Sequence, residues 1–202
     1  MNKQGTTEKL IIDTALPSWD VEIAEHLLVH AEPELTWGVA RDLNLVTVHT
    51  PLLDAAMWVR GLPDRIARRA AAAPPRVTLG GEGDMPGWLL LGERPGREIA
   101  AGAVGRFWQP AITWRDVPLA EFPTFAEPGW GKIATAVTTL PFGDGHTLLS
   151  YVCRTATTDE AARRRFARYW WLVRPYVGHI MRAVVRTIAV EAERAARSTV
   201  DG

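Results

Sequence analysis

The chain predicts an α+β fold in which an antiparallel sheet packs against one long C-terminal helix. Two observations carry this. Gly131–Leu140 and Thr147–Thr155 read as strands joined by a Gly-rich turn over 141–146, where Gly143 and Gly145 supply the positive-φ positions a hairpin loop needs. Phe166, Trp170, Val173, Val177, Ile180, Val184 and Ile188 then recur at spacings of 4, 3, 4, 3, 4 and 4. That is one continuous apolar stripe at helical period. A long helix following such a meander must bury its stripe on the sheet, and a sheet gripping a long helix commonly encloses a pocket.

Residues 1–18 are polar around a short apolar patch at Leu10–Ile12 and read as disordered or loosely attached. Val21–His30 is a strand with Val21, Ile23, Leu27 and Val29 on one face, broken by Glu25. Pro33 and Glu34 suit the first turn of a helix that runs to about Leu43 and buries Leu35, Trp37 and Val39–Ala40. A connector over 44–51 leads to a second helical stretch, which Pro74-Pro75 ends, and 80–87 is a glycine-rich loop. Trp88–Glu93, Glu98–Trp108 and Ile112–Asp116 read as strands, with a turn at Arg94-Pro95-Gly96. The stretch 118–128 is irregular, anchored by Phe122 and Phe125. Thr157 and Glu160 form a capping box for the last helix, and Pro175, beside Gly178, predicts a kink within it. The domain plan is a loose segment over 1–18, one domain over 19–197 and a tail over 198–202.

The 202 residues carry 23 basic and 23 acidic side chains, so net charge gives no reason to expect nucleic acid or an anionic membrane as partner. Arg accounts for all but three of the basic residues, which points to a GC-rich bacterial genome rather than to a binding signal. The single cysteine, Cys153, excludes an intrachain disulfide and a cysteine-based metal cluster. With no secretory signal at the N-terminus and no apolar run of about 20 residues, the expected compartment is the cytoplasm.

Several strings carry a resemblance. The run 31–37, Ala-Glu-Pro-Glu-Leu-Thr-Trp, resembles the A-x-P-x-x-x-W start of the first helix in the START-like superfamily, also called SRPBCC. The pair 91–98 and 102–108, and Arg154 followed by 161–170, resemble an uncharacterised actinobacterial branch of it. The superfamily includes polyketide cyclases and lipid-transfer domains, and the likeness covers roughly residues 20–195. It implies the helix-grip fold: a curved antiparallel sheet wrapped around a long C-terminal helix, with two short helices after the first strand. It implies a hydrophobic cavity, but carries over no catalytic motif.

Candidate functional residues follow from residue type and position. Nine tryptophans are many for this length, and aromatic walls suit polycyclic ligands. Trp88, Trp108, Trp130, Tyr151, Arg154, Trp170, Val173 and Val177 are the expected ligand-binding residues. Glu98 and Arg106 share a strand face by period 2, where they could orient a polar head group or form an ion pair facing solvent. With His179, Tyr176 and His49 they make the candidate catalytic set. His26 and His30 are four apart, but on a strand this is no zinc motif, so neither metal nor organic cofactor is expected. Arg163–Arg165 reads as a solvated helix face beside Asp159 and Glu160.

Three functions fit. The first is binding of a lipid-like or polyketide-like molecule between sheet and helix. The second is a cofactor-independent cyclase, aromatase or dehydratase, and the third a module that binds a protein partner. A homodimer is compatible with each, and insertion into a membrane is not expected.

Overall fold

The computed structural model describes residues 9–44 and 87–200. The expected second helical stretch, most of the loop over 80–87 and His49 lie outside them. Along the chain the elements are α1 (Ile11–Ala15), β1 (Val21–Val29), α2 (Pro33–Asp42), β2 (Trp88–Arg94), β3 (Glu98–Arg106), β4 (Thr113–Arg115), a 3-10 turn (Leu119–Glu121), β5 (Gly131–Pro141), β6 (Thr147–Thr157) and α3 (Glu160–Val200).

All six strands form one antiparallel sheet in the order β1-β6-β5-β3-β2, with β4 also paired to β3. β2 pairs residues 98–103 of β3, and β4 pairs 104–106, so the two share one edge of the sheet. The β5–β6 hairpin turns where expected: Gly143 and Gly145 hold φ of 65° and 70°, and the Phe142 amide donates to the His146 carbonyl.

Strand register divides the side chains between two cores. On one face Val29, Ile99, Val137 and Leu149 meet Ala40 and Leu43 near α2 and Val184, Val185, Ile188 and Ala192 of α3. On the opposite face Ala100, Val104, Trp130, Ala134 and Ala136 meet Ile12 and Leu16 of the N-terminal segment and Phe122. The segment before Trp19, expected to be loose, is therefore part of the core from Leu10 onward. Ile12 is wholly buried and Leu16 nearly so. A short apolar patch beside polar residues hides this role until an uncovered sheet face is there to receive it.

Polar side chains dock α1. Both carboxylate oxygens of Glu98 accept the Ile11 amide, at 2.8 and 3.0 Å, and one meets the Arg94 guanidinium at 3.3 Å. Lys132, also buried, donates to the carbonyls of Pro123 (2.9 Å) and Phe122 (3.4 Å), fixing the turn that carries Phe122. Burial holds this ammonium below the usual lysine range.

α3 has 41 residues, roughly 60 Å at 1.5 Å per residue, while its longest partner strands have 11. It packs mainly on β1, β6 and α2. Gly178 permits its close approach to β1: an added Cβ would lie 3.2 Å from Ile23 Cδ1. Glu25, which interrupts the apolar face of β1, is matched by Arg182 of α3 at 3.3 Å. The helix is continuous through Pro175. Its start differs from expectation. Asp159 caps it, accepting the Ala162 amide at 2.8 Å and the Gly129 amide. Thr157 instead ends β6 and donates its amide and hydroxyl to Asp20. The expected tail also changes, since the helix continues to Val200.

Candidate functional site: the helix-facing floor of the sheet

Alternation along the strands fixes what faces α3. Ile99, Val137 and Leu149 belong to the helix-side core, so register places Leu90 and Trp88 of β2, Ala101, Ala103 and Gly105 of β3, Ile133 and Thr135 of β5, and Tyr151, Cys153 and Thr155 of β6 on the same face. Central-strand positions under a fully seated helix would be sealed. Ala101 of β3, Ile133 of β5 and Tyr151 of β6 are not: each keeps intermediate exposure, as does Leu90 on the edge strand β2. α3 lies over β1 and β6; beside it, on the middle of β3 and β5, Ala101 and Ile133 form a partly exposed apolar floor among the buried Ala103, Thr135 and Val137.

Tyr151 shows the character of this space. Protein atoms surround it closely enough that burial, then the neighbouring Cys153, pushes its phenol above the usual tyrosine range. Part of the side chain nevertheless stays accessible. Cys153, two residues on, is buried, and desolvation pushes its thiol up to about 12. Thr135 pairs with Cys153 across the strands and Thr155 follows on the same face. At neutral pH the floor is thus apolar, with uncharged hydroxyl and thiol groups.

One end of the floor is aromatic. Trp114 of β4 lies 6.4 Å from Trp88 and 5.9 Å from Phe107, centroid to centroid. Gly105 makes room for them: a Cβ there would sit 2.8 Å from the Phe107 ring and 3.1 Å from Trp114. Above, Trp170, Val173 and Val177 share the helix stripe of the buried Phe166, Val184 and Ile188 but are only half-buried. The Trp170 ring stacks on Phe166 at 5.9 Å. On α2 the enclosed Trp37 indole N–H has no hydrogen-bond acceptor among the described residues.

The residues singled out from sequence divide sharply. Trp88 and Tyr151 lie on the helix-facing side of the sheet, and Trp170, Val173 and Val177 lie on the half-buried stripe of α3. Trp108 lies in the turn after β3, half-buried. Glu98, Arg106, Arg154 and Trp130 are on the other side of the sheet. There Arg106 stacks over Trp130 at 4.4 Å and donates to the Gly129 carbonyl. Arg154 bonds Asp13 at 2.7 Å and Glu22 at 2.6 Å, with its guanidinium 3.8 Å from the Trp19 ring centre. These charged groups do not face solvent alone; they hold the N-terminal segment and the 116–130 loop against the sheet. Tyr176 is exposed, His179 is half-buried on α3, and His49 lies outside the described residues. His26 bonds Ser150, and His30 meets His146 edge-on at 4.7 Å. Among the described residues no cluster of His, Cys, Asp or Glu could hold a metal ion.

Sequence reasoning missed Leu90, Ala101, Ile133, Thr135 and Cys153 as floor residues. Period-2 alternation through Tyr151 gives Cys153 directly, and the pairing of β5 with β6 then gives Thr135. Two open depressions flank α2. One is lined by Leu35, Asp42 and Glu191, the other by Glu32, Arg97 and Thr139, and neither includes a floor residue.

No protein-family model and no curated protein matches the chain. Among solved structures it is similar to CalU16 from Micromonospora echinospora, with 16% identity, 90% of this chain and 88% of that one covered, and a TM-score of 0.29. It is also similar to CV1439 from Chromobacterium violaceum (14%, 85% and 96%, 0.34) and to the Zhui aromatase/cyclase from Streptomyces sp. R1128 (14%, 86% and 94%, 0.32). At these scores the likenesses carry no argument about what this chain does.

Proposed function

We propose that the protein binds a hydrophobic small molecule, lipid-like or polyketide-like, between the sheet floor and α3. The partial exposure of Ala101, Ile133 and Tyr151 on central strands of the sheet supports this reading. Apolar area supplies the binding, at roughly 25 cal/mol per Å² before the costs of association. The neutral phenol of Tyr151 offers one directional hydrogen bond to a carbonyl or hydroxyl of the ligand. Carriage is favoured over acid–base catalysis because Glu98 and Arg106 are committed to the opposite face, while burial keeps Tyr151 and Cys153 protonated.

Native mass spectrometry of the full chain, read against the denatured mass, tests for a retained ligand. In parallel, an apolar reporter dye is titrated into the wild type and into Ala101→Phe and Ile133→Glu, which fill or charge the floor. The expected result is at least a tenfold weakening, about 1.4 kcal/mol, in both variants. Equal dye affinity in wild type and folded variants overturns the reading.

A further inference from the structure

We propose that the outward face of the first half of α3 docks the protein onto an anionic lipid surface. Opposite the stripe turned to the sheet, Arg164, Arg168, Trp171 or Leu172, and Pro175 follow one another at helical spacing. Trp171 is 82% exposed, Leu172 61% and Tyr176 44%. Large apolar side chains standing together in solvent and rimmed by charge mark an interaction surface. Among the described residues the rim is mainly basic. Arg163, Arg164, Arg165, Arg168 and Arg174 surround the apolar group, all exposed. Glu160 pairs with Arg163 and Arg164, Asp20 pairs with Arg163 at 2.9 Å, and Asp159 is engaged as the helix cap. Arg168 and Arg174 have no carboxylate within ion-pair distance among the described residues.

Charge decides the occupant. Two copies meeting through this face would bring the same arginines together, an arrangement that repels. A surface of phosphatidylserine-like head groups neutralises the arginines, while Trp171 and Leu172 enter the interfacial layer and the arginine stems extend to the phosphates. No described helix is long and apolar enough to cross a membrane, so α3 lies on the surface rather than spanning it. Pro175 lacks an amide hydrogen and leaves the Trp171 carbonyl without its helical donor, on the same face. The zero net charge of the chain conceals this, because neutrality is a sum over the whole surface and docking depends on one face of one helix.

The test is flotation of the full chain with vesicles of phosphatidylcholine, with and without about one third phosphatidylserine. Binding is expected to the anionic vesicles and to weaken as salt rises. An arginine near such a surface is worth about fivefold in affinity, so Arg168→Glu with Arg174→Glu lowers binding by at least about 25-fold. Trp171→Ala with Leu172→Ser weakens binding while keeping the salt dependence. All four positions are exposed, and unchanged thermal unfolding verifies the fold of each variant. Absence of binding to anionic vesicles, or equal binding by wild type and both variants, overturns the proposal. So does self-association in sedimentation that Trp171→Ala with Leu172→Ser abolishes, because a second copy then covers the face. Ala101→Phe separates this from cavity binding. It keeps vesicle association if α3 docks, whereas its loss means that lipid uptake into the cavity produced the signal.

Discussion

Replacing Arg154 with Met tests which side of the sheet this arginine serves. Its side chain is 11% exposed and its partners Asp13 and Glu22 are 37% and 36% exposed. Screening at such half-open carboxylates limits each ion pair to about 0.5–1 kcal/mol. The guanidinium over Trp19, 3.8 Å from the ring centre, adds about 0.5–1 kcal/mol. Methionine keeps much of the apolar stem, so the expected loss is about 2 kcal/mol. For a chain of this size that lowers the melting temperature by roughly 4–8 °C. Calorimetry gives the number, and limited proteolysis locates it, with cleavage concentrated in the segment that Asp13 and Trp19 anchor. A double-mutant cycle with Asp13→Ala is expected to show coupling, because the two groups touch. Reporter-dye affinity is expected to stay within about twofold of wild type, since Arg154 faces away from the floor. Unchanged melting together with lost dye binding refutes the assignment and returns Arg154 to the ligand.

Three further outcomes follow from the structure. Cys153 keeps its proton to about 12 in the folded chain but loses it near 9 when unfolded, so the folded state binds more protons between those values and stability falls as pH rises through them; Tyr151 acts in the same direction, and denaturant titration of Cys153→Ala should show a shallower alkaline loss. Asp159, held below the usual carboxylate range by the Ala162 and then the Gly129 amides, stabilises the fold above about pH 4, and this is lost as pH falls; Asp159→Ala should melt lower at neutral pH and show a smaller acid effect in thermal scans. Gly102→Val should destabilise by about 1–3 kcal/mol in chemical denaturation, because a Cβ there already meets Phe122 at 2.9 Å and Leu91 at 3.0 Å; an unaltered midpoint would mean that the outer core is looser than described.

Periodicity in the sequence determined the β5–β6 hairpin, β1, α2 and the long helix, because alternation of 2 and recurrence near 3.6 are written directly in side-chain type. Those same rules placed Trp170, Val173 and Val177 on the inward stripe of α3, where they lie. What the sequence could not assign was which face of a strand points to which neighbour. Glu98 and Arg106 share a strand face by period 2 as read from the chain and Arg154 lies on another strand, yet alternation is silent about whether either face meets α3 or the N-terminal segment. Only the assembled sheet decides this. The face turned away from α3 carries the apolar Ala100, Val104, Ala134 and Ala136, and Ile12 and Leu16 are drawn from an apparently loose terminus onto it. Local capping likewise yields to tertiary partners: Asp20 takes Thr157 into the strand, and Asp159 caps the helix instead. The open floor at Ala101 and Ile133 has no sequence signature of its own, because it arises from where a 41-residue helix lies across the strands.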